Sequence, residues 1–79
     1  MMSESGFSVL LASSPEYERL TAEIFLDGKF VALLTQEKAA GVFELETPGL
    51  NLREDLIARR VDLDEFLKCV EVARERLKS

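Results

Sequence analysis

"EIFLDGKFVALL", Glu23 to Leu34, is the stretch on which the fold turns. Two runs rich in β-branched, aromatic and aliphatic residues flank Asp27-Gly28. Asp-Gly between such runs is a strong hairpin signal, because a type I′ turn needs positive φ at both central residues. A two-residue loop fixes the register. It predicts Leu26 opposite Lys29, Phe25 opposite Phe30, Ile24 opposite Val31 and Ala22 opposite Leu33. One face then carries Leu20, Ala22, Ile24, Leu26, Val31 and Leu33. The other carries Thr21, Glu23, Phe25, Phe30, Ala32 and Leu34. A hairpin with one side in water alternates apolar and polar residues. This one is apolar on both faces, with an aromatic pair on the second.

Working outward, Gly6 to Ala12 alternates weakly and reads as a strand. Pro15 breaks the chain after it. The second strand is expected from about Tyr17 to Leu26 and the third from Lys29 to Gln36. "QEKAAG", Gln36 to Gly41, reads as a polar loop. A fourth strand follows from Val42 to Thr47, with Phe43 and Leu45 alternating against Glu44 and Glu46. Thr47-Pro48-Gly49-Leu50 has the signature of a type II turn. Between Asn51 and Val61 two readings compete, a capped helix or a short strand. The favoured one is a helical turn at Asn51 to Asp55, then a short edge strand near Leu56 to Val61, whose arginines deter edge pairing. Asp62 reads as a helix N-cap, with Glu65 three residues on. Leu63, Phe66, Leu67, Val70, Ala73 and Leu77 recur at helical spacing and form the apolar stripe, with Cys69 at its margin. Asp64–Lys68 and Glu71–Arg74 are spaced for ion pairs on the helix surface. The expected fold class is α+β: an antiparallel β-meander of four to five strands with one C-terminal amphipathic helix packed on one face.

The 79 residues read as a single domain, 1–79, with 1–5 a frayed terminus. A chain of this size buries roughly 60% of its unfolded surface, so its stability alone is marginal. Apolar residues make up 47% and charged residues 32%, which is a globular composition. One cysteine permits no intrachain disulfide and fits a reducing compartment. The start has no basic segment before its short apolar run, and no stretch reaches the roughly 18 apolar residues that span a membrane. A cytoplasmic protein without a membrane partner is expected. The net charge is −5. Residues 1–50 hold three basic side chains (Arg19, Lys29, Lys38) against eight acidic ones, and the remainder holds seven of each. Nucleic acid is therefore not an expected partner, whereas a basic protein surface would be attracted.

A single helix covers one face of such a sheet. Phe43 and Leu45 would join the covered face, leaving Glu44 and Glu46 beside Phe25 and Phe30. The uncovered face is then an apolar patch of Phe25, Phe30, Ala32 and Leu34, rimmed by Glu23, Glu44 and Glu46, and these seven are the candidate interface residues. Three accounts of it stay open: a homodimer face, a docking site for another protein, or a face covered within the monomer.

Chemistry is hard to find. There is no histidine, so histidine general bases and histidine metal sites are excluded. Cys69 lacks a histidine to activate it and reads as a packing thiol. The four glycines are isolated beside turns and build no phosphate loop. Glu44 and Glu46 share a strand face but read as a solvated edge. No catalytic, cofactor-binding or metal residue is assigned, and a non-enzymatic chain is expected.

"AEIFLDGKFVALLTQE", the "FELETPG" after it and "VDLDEFLKCVEVARERL" together resemble small single-domain immunity proteins of bacterial polymorphic-toxin and contact-dependent inhibition systems. The similar parts cover most of residues 17–77. The resemblance implies a non-enzymatic role: binding a cognate toxin domain in the cytoplasm and blocking its active site or substrate entry. No binding residue carries over by motif. The alternative is a homodimeric small structural or regulatory domain that uses the same patch.

Overall fold

The computed structural model describes residues 6–49 and 53–78. Four strands, β1 (Phe7–Ala12), β2 (Thr21–Leu26), β3 (Lys29–Ala39) and β4 (Val42–Glu46), pair in the order β1-β2-β3-β4, each antiparallel to the next. One helix, α1 (Leu63–Lys78), follows them and packs on one side. The fold is thus α+β, a meander closed by a C-terminal helix. The expectations for residues 1–5, for Leu50 and for the Asn51 cap lie outside the described residues. Among those described, no helix is long and apolar enough to cross a membrane.

The hairpin turns as its Asp-Gly requires. Asp27 has φ 50° and Gly28 φ 82°, both in the left-handed region. The same turn anchors the start of β1, because the Asp27 N–H donates to the Gly6 carbonyl at 3.0 Å. A Cβ on Gly6, itself at φ 90°, would run into the Asp27 carboxylate.

Beyond the turn the expected register is followed for two pairs only. Leu26 faces Lys29 and Phe25 faces Phe30, but Ile24 then faces Ala32, with Val31 as the extra residue of a β-bulge. Every later partner moves by one, so Ala22 faces Leu34 and Glu23 faces Leu33. A slip of one residue exchanges the two faces of a strand. Ala32 and Leu34, expected on the uncovered face, are instead core residues only 2% and 3% exposed. Leu33, expected in the core, takes the uncovered face. The cause lies in Phe30 to Leu34, five apolar residues in a row whose own pattern specifies no register. The bulge lets Val31, Ala32 and Leu34 all join the core, where strict alternation would bury only Val31 and Leu33.

Helix α1 starts at the expected cap: Asp62 Oδ2 accepts the Glu65 N–H at 3.0 Å. Its buried face is rotated from the expected stripe. Cys69, Ala73 and Leu77 are buried, Phe66 and Val70 pack beside them, and Leu63 and Leu67 are exposed. The small Cys69 and Ala73 side chains bring the helix down onto Phe7, Val9, Ala22 and Ile24. Phe66 meets Phe7 with ring centroids 6.4 Å apart. Lys68 pairs with Glu65 rather than with Asp64, and Glu71 pairs with Arg74 as its spacing suggests.

Strand β3 runs through Gln36 to Ala39, where a polar loop was expected. Gln36 is buried because both ends of its amide are used: Nε2 donates to the Leu20 carbonyl and Oε1 accepts the Gly41 N–H. The expected early start of β2 at Tyr17 is replaced by a loop. Its Glu18 and Arg19 N–H groups both donate to the Glu37 carboxylate, at 2.7 and 3.0 Å. Between Arg53 and Val61 the strand shrinks to one parallel bridge, Ile57 beside Phe30, preceded by a 3₁₀ turn at Glu54–Leu56. The pairing of β4 ends with Glu46 against Leu33. Only the β3 backbone near Phe30 is then left for this segment, and the Ala58 N–H takes the Phe30 carbonyl at 2.9 Å.

The bulge is testable by pairing two neighbours. Leu34→Ala is expected to cost about 2–5 kcal/mol in urea unfolding, and Leu33→Ala about 1 kcal/mol. The reverse order would show a hairpin that runs straight.

Candidate protein-binding face

With α1 on one side, the opposite face of the sheet presents two rows. Leu10, Glu23, Leu33 and Glu46 run across all four strands in one; Ser8, Phe25 and Phe30 form the other. Phe25 and Phe30 stack edge to face with centroids 5.8 Å apart. Leu56, delivered by the 3₁₀ turn, stands beside them. Glu23, Phe25, Gly28, Phe30 and Leu56 line a shallow concavity of about 390 Å³. Its floor is apolar and its one charged wall is Glu23.

The seven expected interface residues therefore divide. Phe25, Phe30, Glu23, Glu44 and Glu46 lie on the uncovered face, whereas Ala32 and Leu34 leave it through the bulge. Leu10, Leu33 and Leu56 take their place. Leu10 was visible in the alternation of β1. Leu33 and Leu56 depended on the bulge and on the Ile57 bridge, which local pattern does not encode. The face is also partly covered from within. Both phenylalanines are half-buried, and Tyr17 reaches over from the β1–β2 loop to Glu46.

The charges on this face are one-sided. Glu23 has no hydrogen-bond or ion-pair partner among the described residues. Glu46 Oε2 accepts the Tyr17 hydroxyl at 2.9 Å. Glu44 pairs at 3.4 Å with Lys38, at the outer end of the sheet. Two of the three arginines of the 53–60 segment are engaged elsewhere: Arg53 with Asp55, and Arg59 in two bonds to Glu54. Those bonds from Arg59 hold the Glu54 carboxyl below its usual range. Cys69 is buried under the helix, and burial pushes its thiol pKa up, away from nucleophilic use. No family model matches the chain, and neither the curated proteins nor the solved structures include a match to it.

The Tyr17–Glu46 contact gives this face a spectroscopic handle. The hydrogen bond to Glu46 favours the neutral phenol, and the carboxylate repels the phenolate, so the Tyr17 pKa lies above its usual 10.0. Tyr17 is the only tyrosine. Its ultraviolet absorbance should titrate above pH 10, and Glu46→Gln should bring the midpoint back down. A midpoint indifferent to Glu46→Gln would mean that the loop does not sit on the face.

Proposed function

We propose that this chain is a non-enzymatic protein-binding module of the immunity type, which docks a basic protein partner on the uncovered sheet face. The observation that carries the reading is the row Glu23–Leu33–Glu46, two carboxylates astride an apolar residue, beside the Phe25–Phe30–Leu56 floor. An apolar centre with charged flanks is how transient interfaces are commonly built. The aromatic pair would supply the anchor, and the carboxylates would steer the approach of a cationic surface. The resemblance to immunity proteins supports a cognate toxin domain as that partner and the cytoplasm as the place of encounter. Binding would then inhibit by occlusion, with no chemistry on this side.

The same charges argue against a homodimer built on this face. A two-fold contact would bring Glu23 and Glu46 of both copies together with no cation from the patch between them. Like charges in a desolvated contact oppose it.

The test uses a basic toxin domain encoded beside this chain. Calorimetry should show a complex that weakens ten-fold or more in Glu23→Lys/Glu46→Lys at low salt, with the difference shrinking as ionic strength rises. Phe25→Ala should weaken it at every salt concentration. Affinity unchanged in both variants would refute the face as the binding site.

A further inference from the structure

The helix leaves a second surface open. Of the seven large apolar side chains exposed among the described residues, Leu45 (47%) and Leu67 (51%) meet on the flank formed by β4 and the adjacent side of α1. Between strand and helix runs a groove of about 400 Å³, lined chiefly by Phe43, Leu45, Phe66, Leu67, Val70 and Arg74. Strand β4 is also an edge, with no strand outside it among the described residues. The opposite edge is different. At β1, Arg76 reaches from α1 to the Val9 carbonyl at 3.4 Å. The backbone groups of β4 and the apolar flank beneath them thus face outward together.

We propose that the occupant of this flank is a second copy of the chain, joined by antiparallel pairing of β4 with its own copy about a two-fold axis. Such an axis, perpendicular to the sheet, keeps both helices on one side and makes one eight-stranded sheet from two four-stranded ones. The register that pairs all five residues of β4 is centred on Glu44. It sets Phe43 against the copy's Leu45 on the helix side, and brings the two exposed Leu67 side chains toward the seam.

Charge decides whether that register is tolerable. It sets Glu44 opposite Glu44, and acidic edge residues normally deter pairing. Here each Glu44 already carries Lys38, 3.4 Å away. Two copies would therefore set two lysines beside the facing Glu44 carboxylates. Each Glu46, diagonal to the copy's Glu44, is held by its own Tyr17 hydroxyl, and the deterrent at the centre of the edge is weakened. Small chains commonly gain through association the stability that a small core lacks. The seam shares Glu44 and Glu46 of β4 with the uncovered face but leaves Glu23, Phe25 and Phe30 outside it, so Phe25→Glu separates the two proposals.

Light scattering on the intact chain across a concentration series reads the outcome, with circular dichroism to confirm folding. The expected mass is twice 8.9 kDa, falling to one chain in Leu45→Glu/Leu67→Glu. Lys38→Glu, which changes an exposed side chain and leaves the core intact, should weaken the dimer ten-fold or more by leaving only carboxylates at the seam. Phe25→Glu should leave the dimer in place. A monomer at every concentration overturns the proposal. So does a dimer that survives all the flank variants, or one that dissociates only with Phe25→Glu.

Discussion

The extra residue at Val31 decides which side chains meet the helix and which meet solvent. Up to Phe30 the hairpin obeys its turn, and the Phe25–Phe30 pair stays on the uncovered face. One residue later the strand has changed sides. Leu34 enters the core, and Leu33 moves out between Glu23 and Glu46. The pairing of β4 inherits the shift, since its Leu45 stands against Leu34 and its Glu46 against Leu33. The candidate face, the direction of the β4 side chains and the groove beside them are all consequences of that one local irregularity.

A second constraint is geometric. A helix is about 10–12 Å across with its side chains, whereas four strands at ~4.8 Å spacing make a wider sheet. Cys69 and Ala73 draw α1 close to β1 and β2, where Phe7, Val9, Ala22 and Ile24 receive it. The price of that close seat is at β4, where Phe43 is half covered and Leu45 is not. Arg74 partly fills the gap, its guanidinium lying 5.6 Å from the centre of the Phe43 ring. Tight packing at one edge and an open flank at the other are therefore one fact seen from two sides.

Much of this architecture could be read from the chain. The Asp27-Gly28 turn, the Asp62 cap and the periodicity of α1 rest on interactions within a few residues, and such interactions leave local marks. The failures have a common character. Phe30 to Leu34 is uniformly apolar, so no alternation was present to betray the bulge. Gln36 looks like a loop residue until Leu20 and Gly41 arrive from a distance to satisfy its amide. The stripe on α1 ran by helical spacing from Leu63 and Leu67 to Ala73 and Leu77, with Cys69 at its margin. The sheet keeps Ala73 and Leu77, draws in Cys69 and leaves Leu63 and Leu67 exposed, because closeness of approach outweighed the area of any one side chain. The candidate site suffered in proportion: Glu23, Phe25 and Phe30 precede the bulge and keep their expected face, while Ala32 and Leu34 follow it and do not.

The distribution of charge joins the two surfaces into one scheme. The acidic excess lies entirely in residues 1–50, whereas the second part is balanced. In the fold that second part neutralises itself at short range, through Arg53–Asp55, Arg59–Glu54, Lys68–Glu65, Arg74–Glu71 and Lys78–Glu75. Exposed pairs of this kind add little stability, but they leave little field. Of the carboxylates in the first part, Glu23, Glu44 and Glu46 sit on the uncovered face, on the side of the sheet away from α1. A surface with strong field favours an oppositely charged partner and disfavours its own copy; one that is locally neutral and apolar does the reverse. The uncovered face is the first kind of surface and the β4 flank the second. That contrast is why different occupants are assigned to two apolar surfaces of similar size.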